Sequence, residues 1–485
     1  MSADLVSSLR TDVVAAARAI AAGEVTSAAL VEACLARAAE VEPWLHAFAW
    51  LDADRTRRLA AEADGRRQAI RERGGGWPLL HGVPIGVKDI IDTAGVPTEH
   101  GSALFRGRVP ERSAAVVEAL ERAGALVFGK TVTAELAFFH PGPTVNPWNP
   151  ARTPGGSSMG SAAAVAAGLV PGAVGTQTNG SVIRPAAFCG VVGFKPTAGR
   201  LSRAGMLTFS QTLDQVGGFA RTVEGAARLA AAMAGEPLEA WWAGPYPGAA
   251  SGAAGAAGRR QEAAAGAAAG RAPAPRFAAV RTGEWERAEP AMQARFEADL
   301  AALAAAGAVV EWPEDGRPRG GECERLPAGL DDALPVHRTI MAFEAAQALG
   351  PVVAERPNVV SDVLRAFLAE GARIPAAVYQ AALRERERLV GVFASWAAPL
   401  DAVLTPPAVG EAPGPETTGD PRFCTRWTLV GAPALVLPTG LGPVGLPLGL
   451  QLVGAPGADR RLLAAAAWAA DELRIADFTV QAGRS

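Results

Sequence analysis

A chain of 485 residues with 49% hydrophobic and 20% charged side chains has ample material for a large core, which excludes a disordered or fibrous protein for its bulk. Its 46 basic and 49 acidic residues leave a formal net charge of −3, which argues against a nucleic-acid surface or a polybasic membrane patch. With 55 glycines and 37 prolines, tight turns and close backbone approaches are expected.

The first 73 residues read as helical. Asp12–Ala22 and Ser27–Val41 carry apolar residues at i, i+3, i+4 spacing, Thr26 or Ser27 offers a cap, and Asp52–Arg73 is a charged, more exposed helix. His81–Asp92 is a short apolar strand broken by glycine and proline. Arg112–Ala123 reads as a helix, Ala125–Phe128 as a buried strand, Gly155–Val170 as a Gly/Ser turn opening an Ala-rich helix, and Phe188–Phe194 as another strand. Ala243–Pro275 is low in complexity, mostly Ala, Gly and Pro, and reads as an insertion or linker. Beyond it come a strand at Arg276–Val280, a helix at Pro290–Ala306 and a strand at Val309–Trp312. Helices at Pro335–Gly350 and Pro375–Trp396 follow, then strands at Ala402–Leu404, Ala432–Leu437 and Leu448–Val453, and a closing helix at Ala458–Leu473. The alternation predicts an α/β fold, a single large domain with a mixed, mostly central β-sheet flanked by helices on both faces. The expected organisation is an N-terminal helical segment (1–75), a core (76–242), the insertion (243–275) and a C-terminal part of the same domain (276–485).

Cys34, Cys189, Cys323 and Cys424 are far apart with no C-x-x-C pair, and the five histidines show no metal-ligand spacing. No charged leader with an apolar run opens the chain, and no uninterrupted apolar stretch of about 20 residues occurs. A reduced cytoplasmic protein without membrane span, disulfide, metal or cofactor is expected. Only three lysines occur, Lys88, Lys130 and Lys195; every other basic residue is arginine. Codon bias accounts for the ratio but not for the confinement of all three to one stretch. Arginine stays protonated, whereas a desolvated lysine can lose its proton, so one of the three is a candidate proton-transfer group.

Three glycine motifs point to chemistry that their surroundings do not support. Gly124–Thr131 fits the phosphate-loop pattern G-x4-G-K-T, but a helix precedes it and its middle is itself a strand. Gly440–Gly445 fits G-x-G-x-x-G but is followed by a strand, so a hairpin turn is expected. Gly156–Gly160 fits the nucleophile elbow G-x-S-x-G around Ser158, and His337 is the one downstream histidine available to it.

A different combination fits one mechanism. Gly155–Ser161 lets backbone approach a reacting group before a small-residue helix, and Gly175–Ser181 is a second turn whose N–H groups could converge on an oxyanion. The serine ending that turn needs a base, and Lys88, after its apolar strand, could serve once burial lowers its pKa. The runs Pro154–Gly168, Gly175–Ser181 and Pro185–Thr197, together with Val87-Lys88-Asp89 and Gly129-Lys130-Thr131, resemble the amidase signature family of serine hydrolases. The resemblance is dense from Gly82 to Arg200 and fainter from Leu404 to Leu473. It implies a Ser–cis-Ser–Lys triad with Ser181 as nucleophile, Ser157 as bridging serine and Lys88 as base. It further implies an oxyanion hole from the backbone N–H groups of Thr178, Asn179, Gly180 and Ser181, with Ser158 as a hydrogen-bonding neighbour; capping of the following helix is the alternative role for Ser157 and Ser158. Lys130 and Lys195 are expected to pack or pair.

The chain departs from the family pattern in four places. Gln177 and Ile183 stand where the family has Asp and Arg, with Arg184 one position later, as if an ion pair had become a neutral contact. Asn179 replaces a glycine, which asks for a positive φ or a shifted turn, and Met159 replaces Gly or Ser. The resemblance implies an amidase that hydrolyses a small-molecule amide through an acyl-enzyme and releases ammonia or an amine. The alternatives are the A subunit of the tRNA-dependent glutamyl/aspartyl amidotransferase, acting as a glutaminase for a partner, and a non-catalytic scaffold of the same fold. A homodimer is compatible with the sequence, with no nucleic acid or membrane bound directly.

Overall fold

The structure is a computed structural model that describes residues 9–74, 76–244, 274–311, 326–331 and 333–475. Side chains that accept from the first free N–H groups start the N-terminal helices. Asp12 caps Val13–Ala22, Thr26 caps Ser27–Leu45 and Asp52 caps Ala53–Arg73, as read from the sequence. The second of these runs four residues beyond its expected end.

Apolar runs between the helices form strands β1 (Phe48–Leu51), β2 (Pro84–Lys88), β3 (Leu126–Thr131), β4 (Gly172–Gln177), β5 (Val192–Lys195), β6 (Gln215–Ala220), β7 (Arg276–Ala279), β8 (Val309–Glu311), β9 (Ala402–Thr405), β10 (Ala434–Leu441) and β11 (Pro447–Val453). They join one mixed sheet in the order β1-β3-β2-β4-β6-β5-β10-β11-β9-β7-β8. The halves of the chain meet at the β5–β10 pair, where Ala434 lies opposite Lys195, so one sheet serves both halves. Thirteen helices accompany it among the described residues, making a single large α/β domain. No helix there is long and apolar enough to cross a membrane.

Several expectations need correction. Phe188–Phe194 is not one strand: helix Ile183–Cys189 ends at Gly190 in a left-handed cap (φ 68°), and β5 begins only at Val192. Strand β4 takes in Gly175–Gln177, so the second turn starts at Thr178. Strands β1 and β6 and helices Val223–Ala234, Asp362–Ala372 and Arg422–Leu429 had no clear signal in the sequence. Residues 245–273 of the low-complexity segment, together with Trp312 and Cys323, lie outside the described residues. The phosphate-loop match falls on the edge and body of strand β3, and Gly440–Gly445 is the turn of the antiparallel β10–β11 hairpin.

Two features of this sheet position the site. Strands β2 and β4 are adjacent and parallel, with Val87 opposite Val174, so Lys88 and Thr176 end up at the same edge. Helix Met159–Ala166 packs on β2, β3, β4 and β6, while Ile183–Cys189 packs on β5, β10 and β11. The first helix comes this close because Gly160 donates to Val132 O and has no side chain there. A Cβ at Gly160 would stand 2.2 Å from Ala47 O and 2.4 Å from Val132 N, both backbone. Gly160→Ala is therefore expected to destabilise the fold by about 1–3 kcal/mol or more, read as a lowered thermal midpoint; an unchanged midpoint would show that the helix can shift without cost.

Candidate functional site

Lys88 closes β2 and is fully buried, as is Thr176 to within 3%. Its Nζ lies 2.8 Å from Ser157 Oγ and 2.8 Å from Thr176 Oγ1. Desolvation pushes its pKa well below the ordinary lysine value, and the charge of Asp214 opposes that shift without cancelling it. The amine therefore rests in a setting that favours its neutral form.

Lys130 and Lys195 are equally buried but have different company. Lys130 donates to Ile91 O and Thr98 Oγ1. Lys195 donates to Gln215 Oε1, Ala432 O and Pro196 O. Burial lowers them to about 8 and about 7. Both tie strands and loops together; neither forms an ion pair among the described residues.

The Gly/Ser turn before helix Met159–Ala166 contains a cis Gly156–Ser157 peptide. Ser158 makes no helix-capping bond. Its hydroxyl donates to Thr176 O at 3.1 Å and accepts from Thr176 N at 3.2 Å, which binds the turn to β4. Ser161 continues the same seam by donating to Val174 O at 2.9 Å. His337 does not reach Ser158: its Nε2 bonds Thr178 O at 2.9 Å, so the elbow reading of Ser158 has no base. Burial lowers His337 to about 4.

The second turn, Thr178–Ser181, lies between β4 and helix Ile183–Cys189. Gln177 Oε1 accepts from Val182 N at 2.8 Å and from Ile183 N at 3.1 Å, and its Nε2 donates to Thr428 Oγ1. A neutral amide thus holds the helix start where the resemblance expects an ion pair. Asn179 needs no positive φ. Its side-chain oxygen accepts from Thr425 Oγ1 and its carbonyl from Thr428 Oγ1, both at 2.6 Å. Among the described residues, the amides of Asn179, Gly180 and Ser181 donate to no protein acceptor. Amides without a protein partner are free to donate to an incoming acceptor. Ser181 is 7% exposed and lines a narrow cavity together with Thr178 and Asn179.

Thr176, Asp214 and Arg184 support the site, and of these the sequence singled out only Arg184, as the arginine displaced by one position. Thr176 contacts Lys88 only because β2 and β4 pair in parallel. Asp214 accepts from Thr178 Oγ1 at 2.6 Å and from Phe209 N and Ser210 N, and burial pushes its carboxyl up to about 6. Arg184 donates from Nη2 to Gly156 O and from Nε to Thr418 O, both at 2.7 Å, so the displaced arginine braces the turn that carries Ser157. All three partnerships span distant stretches of chain.

The family model described as Amidase matches residues 29–463. The A subunit of glutamyl-tRNA(Gln) amidotransferase from Chloroflexus aurantiacus is 47% identical over 229 residues, 46% of each chain, so that match spans about half the relative's length. The protein of the same name from Chloroflexus aggregans is 34% identical over 499 residues, covering 93% of each chain. A crystallised amidase superposes with a TM-score of 0.79 at 30% identity, over 96% of this chain and 100% of its own. The buried lysine, the serine turn and the amide-lined second turn therefore sit in a chain that belongs to the amidase family, the carbon–nitrogen hydrolases that carry the amidase signature.

Proposed function

We propose that the protein hydrolyses the carbon–nitrogen bond of a small-molecule amide through an acyl-enzyme on Ser181. The observation that carries the reading is the contact of Lys88 Nζ with Ser157 Oγ at 2.8 Å in a fully buried setting without a bonded carboxylate. Ser181 Oγ attacks the amide carbon and passes its proton to Ser157 Oγ, which passes its own to Lys88 Nζ. The carbonyl oxygen becomes an oxyanion held by the N–H groups of Thr178, Asn179, Gly180 and Ser181. As the tetrahedral intermediate collapses, Lys88 returns a proton through Ser157 to the leaving nitrogen, and ammonia or an amine departs. Water then enters, loses a proton to the same relay and releases the acid.

One observation favours a second reading. A relative named as the A subunit of glutamyl-tRNA(Gln) amidotransferase covers 93% of the chain at 34% identity, so the protein could instead release ammonia from glutamine for partner proteins. Free glutamine assayed with the isolated chain separates the two, because a stand-alone amidase turns over simple amides without a partner.

A fluorophosphonate probe is expected to phosphonylate Ser181 alone with loss of fluoride, located by mass spectrometry; an adduct on Ser158 would overturn the assignment. Lys88→Arg and Lys88→Ala should both lower kcat/KM by about 10²–10⁴-fold with the fold retained by circular dichroism, since a permanent cation cannot accept the serine's proton. Retention of more than about a tenth of the activity by Lys88→Arg would make Lys88 a fixed charge and not a base.

The pH profile tests Asp214. Activity rises with pH as Lys88 loses its proton, and the Asp214 carboxylate holds that proton on more tightly. Arg203 faces Asp214 and His337 sits beside Thr178, the first favouring the carboxylate and the second uncharged near neutrality. Removing the negative charge in Asp214→Asn lowers the Lys88 pKa further, so the rising limb of kcat/KM should move to lower pH. A limb that stays in place would separate Asp214 from the base.

A further inference from the structure

The turn Thr178–Ser181 lies between β4 and its following helix without a ladder partner, so its carbonyls need donors from elsewhere. Thr178 O accepts at 2.9 Å from Nε2 of His337, a residue of helix Ala333–Glu355. Asn179 O accepts at 2.6 Å from Oγ1 of Thr428, a residue of helix Arg422–Leu429. Gly180 O accepts at 2.9 Å from Arg184 N, in the helix that follows the turn.

A trans peptide is planar and points its carbonyl oxygen and the next residue's N–H in opposite directions. Gly156–Ser157 is the one cis peptide among the described residues, so the peptides of this turn are trans. Holding the oxygens of Thr178, Asn179 and Gly180 therefore fixes the direction of the N–H groups of Asn179, Gly180 and Ser181. These are the amides that donate to no protein acceptor among the described residues. The following helix aims the last of them through its main chain. Side chains from the C-terminal part of the chain aim the other two.

Hydrogen counting sets the direction of each bond. Val182 N and Ile183 N only donate, so the Gln177 oxygen faces them and Nε2 faces Thr428 Oγ1 at 2.9 Å. The Thr428 hydroxyl accepts there, and its single hydrogen goes to Asn179 O. A carboxylate at 177 would draw that hydrogen to its own second oxygen and release Asn179 O. At His337 the Thr178 carbonyl requires the hydrogen on Nε2. The hold matters most at the Asn179–Gly180 peptide. Gly180 avoids positive φ here, but a glycine pays no steric penalty for it, so this peptide is the easiest of the turn to flip. A flip would turn a carbonyl oxygen toward the place of an oxyanion and repel it.

Resting on the amidase reading of Ser181, we propose that His337 and Thr428 are positioning residues of the oxyanion hole. By holding the carbonyls of Thr178 and Asn179 they aim the amides of Asn179 and Gly180 at the developing oxyanion, and Gln177 orients the Thr428 hydroxyl for that task.

An alkyl fluorophosphonate reads the aim of these amides. Ser181 Oγ attacks phosphorus, fluoride leaves, the serine proton passes to the Ser157–Lys88 relay, and the phosphoryl oxygen takes the place of the oxyanion. The maximal labelling rate kinact and the half-saturating concentration KI are measured on the full chain by mass spectrometry, with Ser181→Ala as control. In Thr428→Val, His337→Phe and Gln177→Glu, kinact should fall about tenfold or more while KI changes by less than about threefold. Thr428→Ser and His337→Gln, which restore a donor, should keep kinact within about threefold of wild type. A wild-type kinact in folded Thr428→Val or His337→Phe, an effect confined to KI, or no recovery in Thr428→Ser would overturn the proposal and leave the amidase reading standing. Absence of labelling at Ser181 in the wild-type protein, or equal labelling of Ser181→Ala, would overturn both. Gln177→Glu, which keeps the size of the side chain and leaves Thr428 intact, decides the proposal if Thr428→Val or His337→Phe does not fold.

Discussion

Burying one amine without a carboxylate is the constraint on which the site depends. A lysine at the carboxyl end of a central strand has no water to solvate its charge, so either a counter-ion or neutrality must compensate. Here two hydroxyls, Ser157 and Thr176, approach Lys88 Nζ and no acid bonds it. The parallel pairing of β2 with β4 brings Thr176 within reach. The tight approach of helix Met159–Ala166, which needs Gly160, brings the serine turn. The fold thus brings a buried amine and two hydroxyls together through backbone geometry, the arrangement the proposed relay requires, and Arg184 and Ser158 fix the turn by bonding to main-chain atoms.

Electrostatics around the second turn follow a consistent pattern. Gln177 replaces a carboxylate with an amide and still satisfies Val182 N and Ile183 N while reaching Thr428. Thr425 and Thr428 satisfy the oxygens of Asn179. Both oxygens of Asn179 are therefore engaged by neutral hydroxyl donors, while the amides of Asn179, Gly180 and Ser181 donate to no protein acceptor among the described residues. Such a site has a fixed preference for negative charge on an incoming oxygen, without a mobile counter-ion beside it. Asp214 is the exception. Its carboxyl is held by Thr178, Phe209 and Ser210, and from there it raises the cost of discharging Lys88.

The readable part of this protein was local. Glycine-rich turns announce close backbone approach wherever they lie, and a lysine in a chain that otherwise uses arginine invites the question of what arginine could not do; Lys88 and Ser181 became candidates on those grounds, and Ser157 through the family resemblance. The α/β alternation was legible too, from Pro84 to the closing helix. What escaped was decided by packing. Strand β6, with Gly217 and Gly218 inside it, has poor strand propensity and exists because β4 and β5 flank it. The apolar stretch around Phe188–Phe194 fits a strand by composition, yet Gly190 breaks it with a left-handed cap and leaves a helix on one side. Thr176 and Asp214 become neighbours of the site only through the tertiary fold, at sequence separations that no motif spans.

The three lysines show why the base is Lys88 in the proposed relay and not one of its companions. Carbonyl oxygens accept and never donate. Lys195 faces three such oxygens, and satisfying them all needs three N–H donors, which only the ammonium form supplies. Lys130 faces one carbonyl and one hydroxyl, with Asp89 and Asp92 close enough to favour its charge. A hydroxyl, in contrast, donates or accepts as required. With Ser157 and Thr176 as its partners, the neutral amine of Lys88 can donate to one and accept from the other. Burial lowers the pKa of all three, but only Lys88 has a hydroxyl for each of its hydrogen-bond partners. The same exchange of donor for acceptor is the motion a proton makes from Ser157 to Lys88, so the resting network and the reacting one differ by a single hydrogen.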